Sequence, residues 1–284
     1  MNKLHILSIF LILPFVLACN IKEAGIGRKY SQINTKYTEI KQIISEEVDD
    51  TLYIYIRLPK NYNSSKKEYP VLYLLDGDIS FNMAVSVVRY LQFGRDVPDL
   101  IIVAPAYGTL LNDNETNYRE RDYTISKIDR FKDSGGAENY LRFLKNELIP
   151  LVDSSYRTDG MRIINGYSLG GLFAINALLK HSHIYDNYIV GSPYLEYDIE
   201  YLSDNFNNLS KFKNNKRLFI SVGEHEDKNK YHIPIIKIKQ KLESIDGLES
   251  HFSIFENGTH FTCPPEALAY GLKFIFNNNI NKEQ

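Results

Sequence analysis

The fold is decided by the stretch RIINGYSLGGLFAINALLK, residues 162–180. Its first four residues have the apolar character of a buried strand, and residues 172–180 have that of an apolar helix. Between them lies a G-x-S-x-G motif, which marks a sharp strand-to-helix turn with an exposed serine at its tip. Glycines are needed beside the serine because side chains there would collide with the neighbouring helix and strand. The stretch therefore predicts a nucleophile elbow at Ser168.

Strands and helices alternate along the rest of the chain. Residues 36–45 and 51–58 predict a hairpin, because β-branched and aromatic residues cluster there between turn residues. The other predicted strands are 71–75, 100–104, 162–165, 188–190, 217–222 and 251–255, and the predicted helices are 80–93, 137–152, 172–180, 233–245 and 266–276. This alternation predicts an α/β fold: a mostly parallel sheet with an antiparallel edge hairpin and helices on both faces.

Two predicted connections are unusually long, 107–134 and 192–216. Both leave the carboxyl ends of strands, where open α/β sheets bind their ligands. We expect one or both to shape a binding site.

The amino terminus predicts export. Lys3 precedes an apolar run, 4–18, that is too short to cross a bilayer. The run ends in Val-Leu-Ala before Cys19, which resembles the lipobox of bacterial lipoproteins. We therefore expect a lipoprotein signal peptide over 1–18, lipidation at Cys19, a polar tether over 19–34 and a catalytic domain over 35–280. An ordinary secretory signal with an incidental cysteine is the alternative.

Charge and cysteine content limit the partners. The net charge of −2 supplies no field for binding nucleic acid or an acidic membrane surface. We therefore expect contact with a membrane only through the lipid anchor at Cys19. The expected location is the periplasmic or extracellular face of the bacterial cell envelope. The two cysteines, Cys19 and Cys263, exclude a disulfide framework, and we interpret Cys263 as a packing residue. Oligomeric state is not predicted.

A serine nucleophile needs an adjacent base. Of the seven histidines, His225 and His260 lie in loops that follow predicted strands. His260 is favoured because it follows the last strand in a turn sequence, as the chain order serine, acid, histidine requires.

The third member should be a carboxylate after the strand 217–222. The sequence GEHED, residues 223–227, offers Glu224, Glu226 and Asp227. We favour Glu226 and keep Asp227 and Glu224 open, because an acidic surface loop also explains the cluster.

An oxyanion requires two backbone N–H donors. Leu169, the residue after the serine, should supply one, and Asp78, in the turn after strand 71–75, the other. The alternative for Asp78 is an aspartate-glycine turn and no more.

Several of these segments together resemble one known family. They are VLYLLDGD (71–78), YRT (156–158), GYSLGG (166–171), GSP (191–193), VGE (222–224) and GTH (258–260). They are similar to the α/β-hydrolase esterases related to esterase D, which include feruloyl esterases and esterases of trilactone siderophores. The resemblance spans most of 40–278 and implies a carboxylic ester hydrolase that uses Ser168, His260 and a carboxylate, without metal or organic cofactor.

The chain departs from that family in one respect. Related sequences often continue after GSP with a serine and tryptophans, whereas this chain has YLEY (194–197) and no tryptophan. The resemblance also implies that some relatives use only a serine and a histidine, so a Ser168–His260 pair without an acid is the alternative to the triad.

The long connections suggest a substrate. Tyr194, Tyr197 and Tyr201 on one, and Arg119, Arg121 and Arg130 on the other, are predicted to stack on and pair with an aromatic anion such as a catecholate siderophore. The arginine loop also carries six acidic residues against five basic ones. The hypotheses are a serine esterase acting through an acyl-enzyme on a small-molecule ester such as a trilactone siderophore, a carbohydrate acetyl or feruloyl esterase, and a non-catalytic lipid-anchored binding protein.

Overall fold

The computed structural model describes residues 35–112 and 116–276. The predicted signal peptide, the predicted tether and Cys19 lie outside these residues, as do the last residues of the predicted domain. No helix in the described ranges is long and apolar enough to span a membrane.

The described strands form one eight-stranded sheet. Their bounds are β1 Thr38–Ser45, β2 Asp50–Arg57, β3 Tyr69–Leu74, β4 Ile101–Ala106, β5 Thr158–Tyr167, β6 Asn187–Gly191, β7 Lys211–Gly223 and β8 Asp246–Phe255. The order in the sheet is β1-β2-β4-β3-β5-β6-β7-β8. β1 and β2 pair antiparallel, β2 joins β4 antiparallel, and the remaining neighbours are parallel. The predicted mostly parallel sheet with an antiparallel edge hairpin is confirmed.

Helices cover both faces of this sheet. They are α1 Gly77–Gly94, α2 Arg119–Tyr123, α3 Ala137–Phe143, α4 Ile149–Ser155, α5 Leu169–Lys180, α6 Ile199–Asn207, α7 Ile233–Glu243 and α8 Pro264–Phe276. Buried side chains of α1 and α8 form one core layer, and those of α2 to α7 form the other. Alternate residues of β3 serve the two layers: Tyr73 packs into one and Leu72 into the other. This two-sided burial explains why the central strands read as continuous apolar runs.

The predicted helix 137–152 is interrupted. A wide π-helical turn, Leu144–Leu148, separates α3 from α4. Pro150 lies at the start of α4. Proline has no N–H for the carbonyl four residues earlier and its ring clashes with that carbonyl, so the backbone widens before it.

Both long connections contain structure that the sequence patterns missed. α2 lies within 107–134, and α6 lies within 192–216. β7 begins at Lys211, which pairs with Asp246 before a register shift leads to the regular pairing from Lys216 onward. The segment between Lys211 and Lys216 is polar, although Phe212 within it is buried. It lacks the apolar run that predicts the strand over 217–222.

Candidate active site

The turn between β5 and α5 adopts the geometry expected of a nucleophile elbow. Ser168 has φ 58° and ψ −116°, a backbone conformation that side-chain-bearing residues rarely adopt. A Cβ atom on Gly166 would lie 2.0 Å from the Gly170 carbonyl oxygen, and one on Gly171 would lie 2.9 Å from the Pro193 Cα. Glycine is therefore required at 166 and 171 for α5 to pack closely on β5 and on the segment after β6.

Backbone hydrogen bonds hold the elbow in place. The Ser168 N–H donates to the Gly191 carbonyl at 3.0 Å, and the Ser168 carbonyl accepts from the N–H of Tyr194 at 3.0 Å. The strained residue is thus anchored to β6 and to the loop that follows it.

His260 and Glu226 meet at the same edge of the sheet. His260 lies in the turn after β8, and its Nδ1 is 2.8 Å from Oε2 of Glu226, which follows β7. The Glu226 side chain is fully buried, whereas that of His260 is 21% exposed. A buried carboxylate in this position orients the imidazole and favours the tautomer with its proton on Nδ1.

The other two candidate carboxylates have different partners. Glu224 is exposed and accepts a hydrogen bond from the N–H of Asn257 at 2.8 Å. Asp227 is exposed and accepts from the N–H groups of Asn229 and Lys230 at 2.9 and 3.0 Å. Of the three predicted acids, Glu226 is the one that the structure brings to His260.

The Glu226 carboxylate is surrounded by donors. Its Oε1 accepts from the Ser192 hydroxyl and from the Gly223 N–H at 2.9 Å, and the Tyr167 hydroxyl lies 3.5 Å away. Burial would raise the pKa of Glu226, but the hydrogen bonds from His260, Ser192 and Gly223 together outweigh it and hold the pKa below the ordinary 4.5. Glu226 is therefore ionised at neutral pH.

The two predicted oxyanion donors differ in their surroundings. Leu169 is the first residue of α5, so its N–H has no acceptor within the helix, and it lines the cavity beside Ser168. Asp78 is the second residue of α1, and its carboxylate binds the Tyr55 hydroxyl and the N–H groups of Tyr107 and Leu110. Among the described residues, Asp78 is not one of those that line the cavity. The role of its amide stays a prediction.

A cavity of about 220 Å³ opens beside Ser168. Its lining is aromatic and charged, formed with Leu169 by Arg119, Glu120, Arg130, Phe131, Tyr194, Lys230 and Tyr231. Arg130 lies over the rings of Phe131, Tyr194 and Tyr197, at 4.4, 5.5 and 5.2 Å from their centroids. Such a surface suits a flat, negatively charged ligand.

Three of the six predicted substrate-binding residues line this cavity: Arg119, Arg130 and Tyr194. The guanidinium of Arg119 is engaged by Asp76, with Nε–Oδ1 2.7 Å and Nη2–Oδ2 3.1 Å. Tyr197 and Tyr201 do not line the cavity. Tyr197 is 43% exposed, and its ring packs 5.6 Å from that of Tyr194.

Arg121 does not line the cavity either. Its guanidinium binds Asp122, with Nε–Oδ1 2.7 Å, and Asp50, with Nη1–Oδ2 3.1 Å. Arg121 thus ties α2 to the edge hairpin. The composition of the loop does not predict this pairing, because Asp50 is distant in the chain.

Sequence reasoning missed Ser192, Lys230 and Tyr231. Ser192 lies in the GSP segment, where its link to Glu226 had no local signal. Lys230 and Tyr231 occupy a π-helical turn, Lys228–His232, directly after the acidic cluster. Their position at the end of β7 was the available signal, since ligands bind at the carboxyl ends of such strands.

Cys263 is buried, and its Sγ atom lies 3.0 Å from the position of a Cβ on Gly223. Burial raises the pKa of its thiol, which agrees with a packing role. Within 35–112 and 116–276, no cluster of three or more histidine, cysteine, aspartate or glutamate side chains could hold a metal ion.

This sheet order, with helices on both faces and a serine elbow after β5, defines an α/β hydrolase. The chain belongs to the family described as "Putative esterase", whose model matches residues 45–260. It is a carboxylic ester hydrolase of the serine hydrolase type, as the resemblance implied.

Named relatives agree with this assignment. The chain is 29% identical over 259 residues to the ferri-bacillibactin esterase BesA of Bacillus subtilis, covering 84% of this chain and 89% of the relative. The crystal structure of the BES protein from Bacillus cereus is similar with a TM-score of 0.76 and 27% identity, covering 87% of this chain and 98% of that one. An IroE-like serine hydrolase from Shewanella oneidensis is similar with a TM-score of 0.75 and 25% identity, covering 84% and 80%.

The lowered pKa of Glu226 predicts a pH-dependent stability. The folded state binds fewer protons at this group than the unfolded state, so its stabilisation is complete above the ordinary pKa of 4.5 and is lost as pH falls through the lowered value. Glu226→Gln should reduce the urea midpoint at about pH 7, and the deficit should shrink towards about pH 3 as the wild-type carboxylate becomes protonated. Glu256→Gln, at an exposed position, is the control. A Glu226→Gln deficit that stays constant over this range would contradict the prediction.

Proposed function

We propose that this esterase hydrolyses its substrate through an acyl-enzyme on Ser168. His260 takes the proton of the Ser168 hydroxyl during attack on the ester carbonyl and returns it to the leaving alcohol. The amides of Leu169 and Asp78 bind the oxyanion, and a water activated by His260 then cleaves the acyl-enzyme. Glu226 orients the imidazole and stabilises the imidazolium.

One observation carries this mechanism, the 2.8 Å contact between His260 Nδ1 and the buried Glu226 carboxylate. The contact leaves Nε2 as the free base of the imidazole. The positions of two tyrosines support Ser168 as the partner of this nitrogen. The ring of Tyr167, the preceding residue, lies 5.1 Å from the His260 ring, and Tyr231 lies 4.7 Å from it while also lining the cavity beside Ser168.

The proposed substrate is a ferric trilactone siderophore. BesA, by its name, is an esterase of ferri-bacillibactin. Ferric catecholate complexes are anionic and aromatic, and the cavity presents the matching chemistry: Arg130 and Lys230 beside the rings of Phe131, Tyr194 and Tyr231. Because Arg119 is paired with Asp76, the charges of Arg130 and Lys230 carry the attraction for an anion.

Replacing the serine tests the mechanism. Ser168→Ala should lower kcat for a p-nitrophenyl ester by roughly 10⁴-fold or more, because no nucleophile remains to form the acyl-enzyme. It should also abolish labelling by a fluorophosphonate probe. Ser86→Ala, at an exposed position of α1, is the control and should behave as wild type. Undiminished turnover by Ser168→Ala would refute Ser168 as the nucleophile.

Substrate class is tested by comparing esters. The kcat/KM for a ferric trilactone siderophore should exceed those for feruloylated and acetylated xylan by about tenfold or more, which is about 1.4 kcal/mol of differential transition-state binding. Lys230→Met should lower kcat/KM for the ferric siderophore by about fivefold, the loss of one partly exposed charge interaction, and leave that for neutral p-nitrophenyl acetate within about twofold.

Lys228→Met is the matched control for this charge. Lys228 belongs to the same turn but does not line the cavity, so its replacement should leave both substrates unaffected. Faster hydrolysis of feruloylated or acetylated xylan would instead support a carbohydrate esterase.

We also propose that the chain is a lipoprotein of the bacterial cell envelope, anchored through Cys19. Support comes from the Val-Leu-Ala-Cys sequence at 16–19 after an apolar run. In cells fed radiolabelled palmitate, the wild-type chain should incorporate label and fractionate with membranes, because an acylated cysteine anchors the mature chain. Cys19→Ala should do neither, with Cys263→Ala as the matched control. Incorporation of label by Cys19→Ala would exclude this anchor.

A further inference from the structure

Tyr231 packs directly on the imidazole of His260. The two ring centroids are 4.7 Å apart and the planes are inclined by 32°, an offset arrangement within the range of favourable aromatic contacts. Tyr167 is a second aromatic neighbour of His260, at 5.1 Å and 54°. A protonated imidazole held against the faces of tyrosine rings gains a cation–π attraction that neutral imidazole lacks.

Tyr231 also lies beside the serine. Its side chain lines the cavity together with Ser168 and Leu169. Burial, followed by the negative charge of Glu226, raises the pKa of Tyr231, although the Ser168 hydroxyl opposes the shift. The ring that faces His260 therefore carries no charge at neutral pH.

The turn that carries Tyr231 is held from several sides. The Tyr231 N–H donates to the Asp227 carbonyl at 3.0 Å, and the Asp227 carboxylate accepts from the N–H groups of Asn229 and Lys230. Nε2 of His232 is 3.0 Å from the Gly223 carbonyl. The turn is thus tied to the end of β7, the strand that also delivers Glu226.

A third ring supports Tyr231. Tyr194 lies 5.8 Å from it, and the Tyr194 N–H donates to the Ser168 carbonyl. Tyr231 is therefore packed between the histidine turn and the loop bound to the elbow, which limits its movement.

We infer that Tyr231 is a positioning residue for the serine–histidine pair, whose ring fixes the His260 imidazole beside Ser168 and stabilises the imidazolium. The inference rests on the proposed function, in which Ser168 and His260 act together. It assigns the task to the aromatic ring, so phenylalanine at this position should retain it and alanine should not.

The experiment compares Tyr231→Phe, Tyr231→Ala and wild type. The second-order rate of fluorophosphonate labelling measures activation of the serine, and the final extent of labelling measures the fraction of competent sites. Tyr231→Phe keeps the ring and should match wild type within about twofold in labelling rate, labelling extent and kcat for p-nitrophenyl acetate. Tyr231→Ala should label about tenfold more slowly with an unchanged extent, and its kcat should fall equally while KM stays within about twofold, because the imidazole then has no supporting ring on that side.

Tyr90→Phe is the matched control, since Tyr90 is 79% exposed on α1 and should behave as wild type. A merely structural role would reduce the extent of labelling and the melting temperature while leaving the labelling rate per competent site unchanged, and that result overturns the inference. So does a Tyr231→Ala rate equal to that of wild type. Failure of the proposed function is distinct: it appears as retained turnover and labelling in Ser168→Ala, whatever Tyr231 does.

Discussion

The arrangement of the site depends on the buried carboxylate of Glu226. An ionised carboxylate is costly to bury unless its oxygens are satisfied by hydrogen bonds. Here the donors come from three separate segments: Ser192 after β6, Gly223 at the end of β7 and His260 after β8. Because all three donors bind one carboxylate, the ends of three strands lie close together. Their hydrogen bonds hold the pKa of Glu226 below its ordinary value.

The three carboxylates of the acidic cluster after β7 bind different groups. Glu224 holds the turn that carries the histidine through the N–H of Asn257, and Glu226 holds the imidazole itself. Asp227 holds the turn that carries Tyr231. Three carboxylates within four residues therefore hold the surroundings of His260 from two directions, although such a cluster is typical of a solvated surface loop.

The fold supplies the esterase framework, and the cavity lining distinguishes one ester from another. Two of the three arginines in the connection 107–134 pair with carboxylates of the protein: Arg119 with Asp76, and Arg121 with Asp122 and Asp50. The other two cationic side chains that line the cavity, Arg130 and Lys230, lie on two connections far apart in the chain. The fold of these two connections at the sheet edge therefore decides which charges line the cavity, and with them the substrate preference.

By itself the sequence determined the features encoded by local patterns. Apolar runs and their alternation predicted the sheet and its helices, and the glycines around Ser168 predicted the elbow, because strand burial and a strained turn each demand particular residues at adjacent positions. Tertiary structure alone decided which acid meets His260, that Arg121 is occupied elsewhere, and that Tyr231 packs on His260. These depend on contacts between loops without periodicity, brought together by the packing of strands distant in the chain, and no local pattern encodes which side chain of a polar loop will face inward.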